Sequence, residues 1–185
     1  MDKFTLFSCA LSHIGAGAYN AKAASANLCE QWLPLVMREA AVRHNWSFSR
    51  RLAYLTPQED GTYLLPDDCM NILYLRDAEE AKPDSLLVVD RIVHTSATGS
   101  LTLVYTSSCV ADMQELPDSS PEFCTAVSYL LAARICRSLT GDFSMVEFCE
   151  QKAEQQFQKA LTRDAQQEHS NKTNKPFAQQ LTRSR

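Results

Sequence analysis

The chain has 185 residues, 45% hydrophobic and 22% charged, the make-up of a folded domain rather than of a disordered chain. A formal net charge of -4 excludes a global attraction to nucleic acid or to an anionic membrane surface. That charge is unevenly spread: Lys172, Lys175, Arg183 and Arg185 lie in residues 170–185 with no acid among them, which leaves -8 on the rest. A basic, Gln- and Asn-containing arm on an acidic body predicts docking on an acidic partner, with those four residues as the contacts.

Taken in order, residues 3–14 predict a first helix with Phe4, Phe7, Leu11 and Ile14 on one face, ended by Gly15 and Gly17. A second helix covers residues 24–45. Leu28, Trp32, Leu35, Val36, Ala40 and Val42 recur there at three-to-four spacing, and Asn45 suits a left-handed cap. Pro34 removes one backbone hydrogen bond inside it, at a cost of about 3 kcal/mol, and predicts a kink. Trp46 and Phe48 then open an extended segment and mark the junction between helix and lobe.

Short apolar runs follow at 51–55, 62–65 and 70–75, punctuated by Pro57, Gly61 and Pro66-Asp67-Asp68. Glu79-Glu80 and Lys82-Pro83-Asp84 form a charged connector. Runs at 85–95 and 100–106 come next, with a turn at Ser96-Ala97-Thr98-Gly99. In the last run Leu101, Leu103 and Tyr105 alternate with Thr102 and Thr106, predicting one buried and one wet face.

Asp112, Glu115, Asp118 and Glu122 mark an acidic loop, and Ser120-Pro121 starts a third helix with Ser as N-cap and Pro at the first position. Phe123, Val127, Leu130, Leu131, Ile135 and Leu139 form its stripe, and Gly141 ends it. Ser144 and Glu147 match a capping box opening a fourth helix, with Val146, Cys149, Ala153, Phe157 and Ala160 or Leu161 on its apolar side. It is expected to fade near His169. The pattern predicts an α+β chain: a mainly α-helical bundle of about four helices with a small antiparallel β-lobe inserted between helices 2 and 3. The bundle takes residues 1–46 and 112–169, the lobe 47–111, and an extended basic arm 170–185.

Signatures of catalysis are sparse. Five Gly residues fall in no nucleotide-binding pattern, and His13, His44, His94 and His169 stand far apart outside any zinc motif. No cofactor or metal is predicted. Asp67-Asp68 after Pro66 are expected to be solvated turn residues. The seven cysteines show no CxxC spacing, and Cys124, Cys136 and Cys149 fall on apolar helix faces, so reduced, structural thiols in a cytosolic setting are expected. No apolar stretch approaches the length of a membrane span, and Met1-Asp2-Lys3 followed by a run broken at Ser8, Ser12 and His13 does not read as a secretory leader. Arg134 and Arg137 would suit a carboxylate or an acid of another subunit. Two alternatives stay open. One is a Cys-dependent enzyme, with any thiol meeting a His in space. The other is a DNA-binding packaging subunit, from the basic arm and from Arg50-Arg51 beside Trp46 and Phe48.

The order of several short motifs resembles tail tubular protein A, the head-to-tail adaptor (gatekeeper) family of short-tailed, podovirus-type bacteriophages. Ala10-Leu11-Ser12-His13-Ile14-Gly15 is similar to that family's first helix ending in Ile-Gly, and Asn45-Trp46-Ser47-Phe48 to its Gly-Trp-x-Phe junction. Leu65-Pro66-Asp67 precedes an apolar strand, Val89-Asp90-Arg91 a strand pair, and Glu115-Leu116-Pro117 a helix holding Ala132-Ala133-Arg134. Order and spacing agree over residues 4–160. Gly15-Ala16-Gly17-Ala18, Pro34, Asn45 and the tail beyond His169 depart from the family pattern.

The resemblance implies a non-enzymatic virion protein, assembled in the host cytoplasm and placed at the head–tail interface. Copies would form a homo-oligomeric ring, a dodecamer, between the portal protein and a tail nozzle resembling tail tubular protein B. Viral DNA would pass through the ring during ejection without sequence-specific binding, and no membrane would be involved.

Overall fold

The computed structural model describes residues 1–77, 86–108 and 116–182, with 168–182 described by their backbone course alone. The connector Glu79-Glu80 and Lys82-Pro83-Asp84, the acids Asp112 and Glu115, and Cys109, Arg183 and Arg185 lie outside the described residues. The fold is α+β: four helices, with two small antiparallel sheets between the second and the third. The chain divides into two compact units. One is helical, Met1–Ser47 with Ala111–Arg185, and the other is the β-unit, Phe48–Val110.

In the helical unit α1 spans Lys3–His13. Asp2 caps it, its carboxylate accepting the N–H groups of Phe4 and Thr5 at 2.9 Å each. Gly15, at φ +67°, ends it as a Schellman motif: the Gly15 N–H donates to the Ser12 carbonyl and the Ala16 N–H to that of Leu11. The buried face is Leu6, Phe7, Ala10, Leu11 and Ile14, while Phe4, expected on that face, is exposed.

Helix α2 spans Ala24–Val42 and runs unbroken through an exposed Pro34. It ends earlier than the sequence pattern suggests, at Arg43 in right-handed geometry, so Asn45 is not a left-handed cap. Its buried side is Ala26, Cys29, Val36, Met37, Ala40 and Ala41, whereas Leu35 and Val42 face outward. Small residues form the seam because α3 presses against it.

Helix α3, Pro121–Leu139, packs on all three other helices and is buried nearly all round, from Phe123 to Cys136. Ser120 takes the N-cap position, but its hydroxyl makes no capping bond. Helix α4 is Phe143–Thr182. It opens one residue before the predicted capping box, with the Asp142 carboxylate accepting the Met145 N–H at 3.1 Å. Its stripe is Cys149, Ala153, Phe157 and Ala160. The arm expected to be extended from residue 170 is instead helical through Thr182. The apolar face stops, and Asn171, Thr173, Asn174 and Pro176 are weak helix formers, so residue preference does not explain this continuation.

The β-unit holds two three-stranded antiparallel sheets. The first is β1 (Arg50–Leu55), β6 (Leu101–Ser107) and β3 (Cys69–Arg76), with β6 central. The second is β2 (Tyr63–Leu64), β5 (Ile92–Thr95) and β4 (Leu86–Val89), with β5 central. Residues 85–95 look like one run in the sequence. The structure breaks them at Asp90 and Arg91, both at positive φ (48° and 68°), as a two-residue primed hairpin turn formed without Gly. Both sheets share one core: Leu55, Tyr63, Leu65, Leu75, Val93, Leu101, Leu103 and Tyr105. Thr102 and Val104 take the other face of β6 as alternation requires, although Thr106 beyond them is buried.

Candidate interaction surface

Trp46 is fully buried in the helical unit, and its indole N–H donates to the Ala40 carbonyl at 2.9 Å. Phe123 meets it edge-on at 5.0 Å and Phe157 lies at 6.5 Å, so helices α3 and α4 close on the segment leaving α2. Phe48 sits half-buried in the 3-10 turn Ser47–Ser49 at the start of the β-unit. Trp46 is thus a keystone of the helical core.

Next to it lies a group that sequence pattern did not single out. Asp164 is buried on the stripe of α4 and accepts the Ser47 N–H at 3.2 Å and the Ser47 hydroxyl, with His44 Nε2 at 3.4 Å. Ser, His and Asp meet here, but not in a catalytic relay. The hydroxyl donates to the carboxylate instead of to the imidazole, so the Ser–His hydrogen bond of a relay is not made. The arrangement is a latch that satisfies the backbone where α2 hands over to the next segment. A lone acid four residues beyond Ala160 on an apolar stripe was the available signal.

Several charges elsewhere in this unit are engaged with one another. Glu39 accepts from Arg43 at 3.0 Å and from Arg134 at 2.9 Å. Arg43 also reaches Glu154 at 2.6 Å and lies over the Phe157 ring at 4.5 Å, while Arg134 reaches Glu150 at 3.5 Å. Burial pushes the Glu39 carboxyl up, and the two guanidinium hydrogen bonds outweigh it, so its pKa ends below the usual glutamate value. Arg134 therefore serves an acid of its own chain, and Arg137 lies over the Phe143 ring at 5.3 Å.

Asp67 and Asp68 differ. Asp67 is solvated, as expected, and pairs with Arg91. Asp68 is an anchor, accepting from the Ser107 hydroxyl at 2.6 Å and the Tyr105 hydroxyl at 3.0 Å. The Ser107 bond chiefly holds its carboxyl below the usual aspartate range. Burial, with the Asp68 bond, pushes the Tyr105 phenol up to about 12.

Four thiols are made less acidic by burial. Burial pushes Cys29 and Cys149 up to about 11 and raises Cys69 and Cys124 as well, which keeps them protonated at neutral pH. Among the described residues no three His, Cys, Asp or Glu side chains are placed to hold a metal ion, and no helix is long and apolar enough to cross a membrane. Of the predicted basic contacts, Lys172 and Lys175 fall on the last turns of α4, and Arg183 and Arg185 lie beyond the described residues.

Unlike these satisfied polar groups, the β-unit carries unsatisfied apolar surface. Leu52 and Tyr54 of β1 and Tyr74 of β3 point away from the core, Tyr54 at 73% exposure. All four residues of edge strand β4 are exposed, from 40% at Val88 to 60% at Leu87. Leu86 and Val88, with Ile72, Leu73 and Tyr74, line a groove of about 520 Å³. Leu87 and Val89 alternate to the opposite face, which Leu64 of β2 extends. An apolar edge strand with no charge on either face is a pairing surface that monomers ordinarily avoid. No protein-family model matches the chain, and no curated protein matches it.

Proposed function

We propose that the chain is a structural ring subunit, the head-to-tail adaptor of a short-tailed bacteriophage virion, and not an enzyme. The observation that carries this reading is the apolar surface of the β-unit, where Leu52, Tyr54, Tyr74 and the whole of β4 stay uncovered. A unit that exposes such side chains on both of its sheets is built to be covered by protein. The ordered motifs of residues 4–160 supply the identity of the assembly. In it, copies join side by side beneath the portal protein, as a dodecamer, and pass viral DNA on to a tail nozzle. The acidic body suits a conduit, because a negative lining repels the phosphate backbone and lets DNA slide. The basic residues Lys172, Lys175, Arg183 and Arg185 provide a cationic end for the portal or a neighbouring copy.

Native mass spectrometry of the full chain mixed with the portal protein of its own particle tests the reading. A portal-bound ring of many copies is expected. A chain that stays monomeric and does not bind the portal overturns it.

A further inference from the structure

Asp60-Gly61 is the chain's one Asp-Gly pair, and the sequence has no Asn-Gly. Such a pair is chemically labile, because a glycine after the acid leaves its amide nitrogen open to the side-chain carbon. The pair lies exposed in the loop between β1 and β2, and that loop is closely bonded. The Gln58 N–H donates to the Thr62 carbonyl at 2.7 Å, and the Gly61 N–H to the Gln58 carbonyl at 3.0 Å. Asp60 Oδ1 accepts the Thr62 N–H at 3.0 Å and the Thr62 hydroxyl at 2.7 Å. Gly61 stands at φ +78°, and a Cβ there would meet nothing within 4 Å, so glycine serves the backbone angle and not space. The turn therefore asks for an acid and a glycine in the very order that spontaneous isomerisation attacks.

We propose that Asp60 is a latent isomerisation site, and that the Gln58–Thr62 loop, with Thr62 as its guard, holds it closed while the β-unit is folded. In the reaction the Gly61 backbone nitrogen attacks Asp60 Cγ. The new C–N bond closes a cyclic succinimide, and the carboxyl hydroxyl leaves with the amide proton as water. A second water opens the ring at either carbonyl. One opening restores aspartate; the other gives isoaspartate, in which the chain runs through the side chain. The step consumes no oxidant, cofactor or enzyme, and it stands apart from the adaptor reading.

The loop obstructs both reacting groups. The Gly61 nitrogen is engaged with the Gln58 carbonyl, so its attack requires a local opening of the loop. The Thr62 hydroxyl, and then the Thr62 N–H, hold the Asp60 carboxyl below the usual aspartate range, and a carboxylate is a poor electrophile. Isomerisation would reach the β-core directly. It adds a methylene to the backbone and takes the carboxylate away from Thr62. The next residue is Tyr63, fully buried, paired with Val93 and donating its hydroxyl to the Gly99 carbonyl at 2.6 Å.

Peptide mapping by mass spectrometry tests this on the full chain, aged for weeks at mildly acidic pH, folded and guanidinium-unfolded. Isoaspartate at Asp60 is expected to form at least about tenfold more slowly in the folded wild type, since only locally opened molecules react. Thr62→Val should lose most of that protection, and Thr62→Ser, which keeps the hydroxyl, should retain it. Each folded rate is divided by the unfolded rate of the same variant, which cancels changes in intrinsic reactivity, and circular dichroism melts show that the variants fold. Asp60→Asn closes the same ring with loss of ammonia and keeps a side-chain carbonyl for Thr62. It reads the hold on the Gly61 nitrogen whether or not Thr62→Val folds, and should also deamidate about tenfold more slowly when folded. The proposal is overturned by a wild type that isomerises as fast folded as unfolded, or by an Asp60→Asn chain that deamidates equally fast in both states. A folded Thr62→Val as slow as wild type, or a Thr62→Ser as fast as Thr62→Val, overturns it too.

Discussion

In the helical unit, α3 is surrounded by three helices, so small and large side chains alike vanish along it: Phe123, Ala126, Ser128, Leu131 and Ile135 are all buried. In the β-unit, two thin sheets share one core between them, and among the described residues Leu52, Tyr54, Leu64 and Leu87 on their outer faces are exposed. Similar apolar content thus does two jobs. A central helix has neighbours on every side, whereas a two-layer β-unit of about sixty residues can bury only the inner side of each sheet. The first unit buries its apolar side chains; the second leaves Leu52, Tyr54, Leu64 and Leu87 exposed.

The largest test of that contrast is at Trp46. Trp46→Ala should cost about 3–5 kcal/mol, by lost burial and a cavity between Phe123 and Phe157. Chemical denaturation followed by circular dichroism reads it. In the wild-type chain both tryptophans, Trp32 and Trp46, lie in the helical unit, so their fluorescence reports that unit alone. A loss below 1 kcal/mol would remove Trp46 from its keystone role. Asp164→Ala comes next, at about 1–3 kcal/mol, because the Ser47 N–H and hydroxyl lose their acceptor. Asp164→Asn should recover part of this, since a side-chain carbonyl still accepts.

Acid separates the two units. Burial lowers the pKa of His13, whose Nε2 meets the Ser128 hydroxyl at 3.0 Å and whose ring stacks on Tyr129 at 3.7 Å. The unfolded His takes up its proton near pH 6.5, and the folded one only at lower pH. Between those values the unfolded chain binds more protons, so the helical unit loses stability as pH falls below 6.5. His13→Gln should flatten that slope in fluorescence-detected melts. Asp68 has a folded pKa below 3.8, so its contribution to the β-unit is present above that value and lost only as pH falls through the folded one.

Surface changes should be nearly silent in stability. Tyr54→Lys is expected to shift it by no more than about 0.5 kcal/mol while weakening self-association, and a large loss would place Tyr54 in a structural role. Removing residues 170–185 should likewise leave the melting temperature unchanged while weakening portal-dependent assembly. A fall in melting temperature would show that this segment packs on its own unit.

Element types were legible in the sequence where a period and a breaker coincide. Gly15 closes α1 as expected, and Leu101, Leu103 and Tyr105 line the inner side of β6. Boundaries were less so. Asp142 rather than Ser144 caps α4, because the choice between two nearby capping side chains depends on how the α3–α4 turn brings the chain round. Periodicity also misassigned part of α2, placing Leu35 and Val42 inside. Local spacing shows that a face exists, but the neighbouring helix selects its angle, and α3 chose the side of Cys29, Met37 and Ala40.

What the sequence by itself determined is the placing of a strand region between two pairs of helices, the α+β class and the polarity of charge, since each follows from local period, breakers and composition. Tertiary structure alone decided three things: the role of Asp164, the difference between Asp67 and Asp68, and the fate of the apolar rows on the β-unit. A strand's pattern is the same whether its outer face meets water or protein. Only the packing of two sheets on one core shows that Leu52, Tyr54, Leu87 and Val89 were left over.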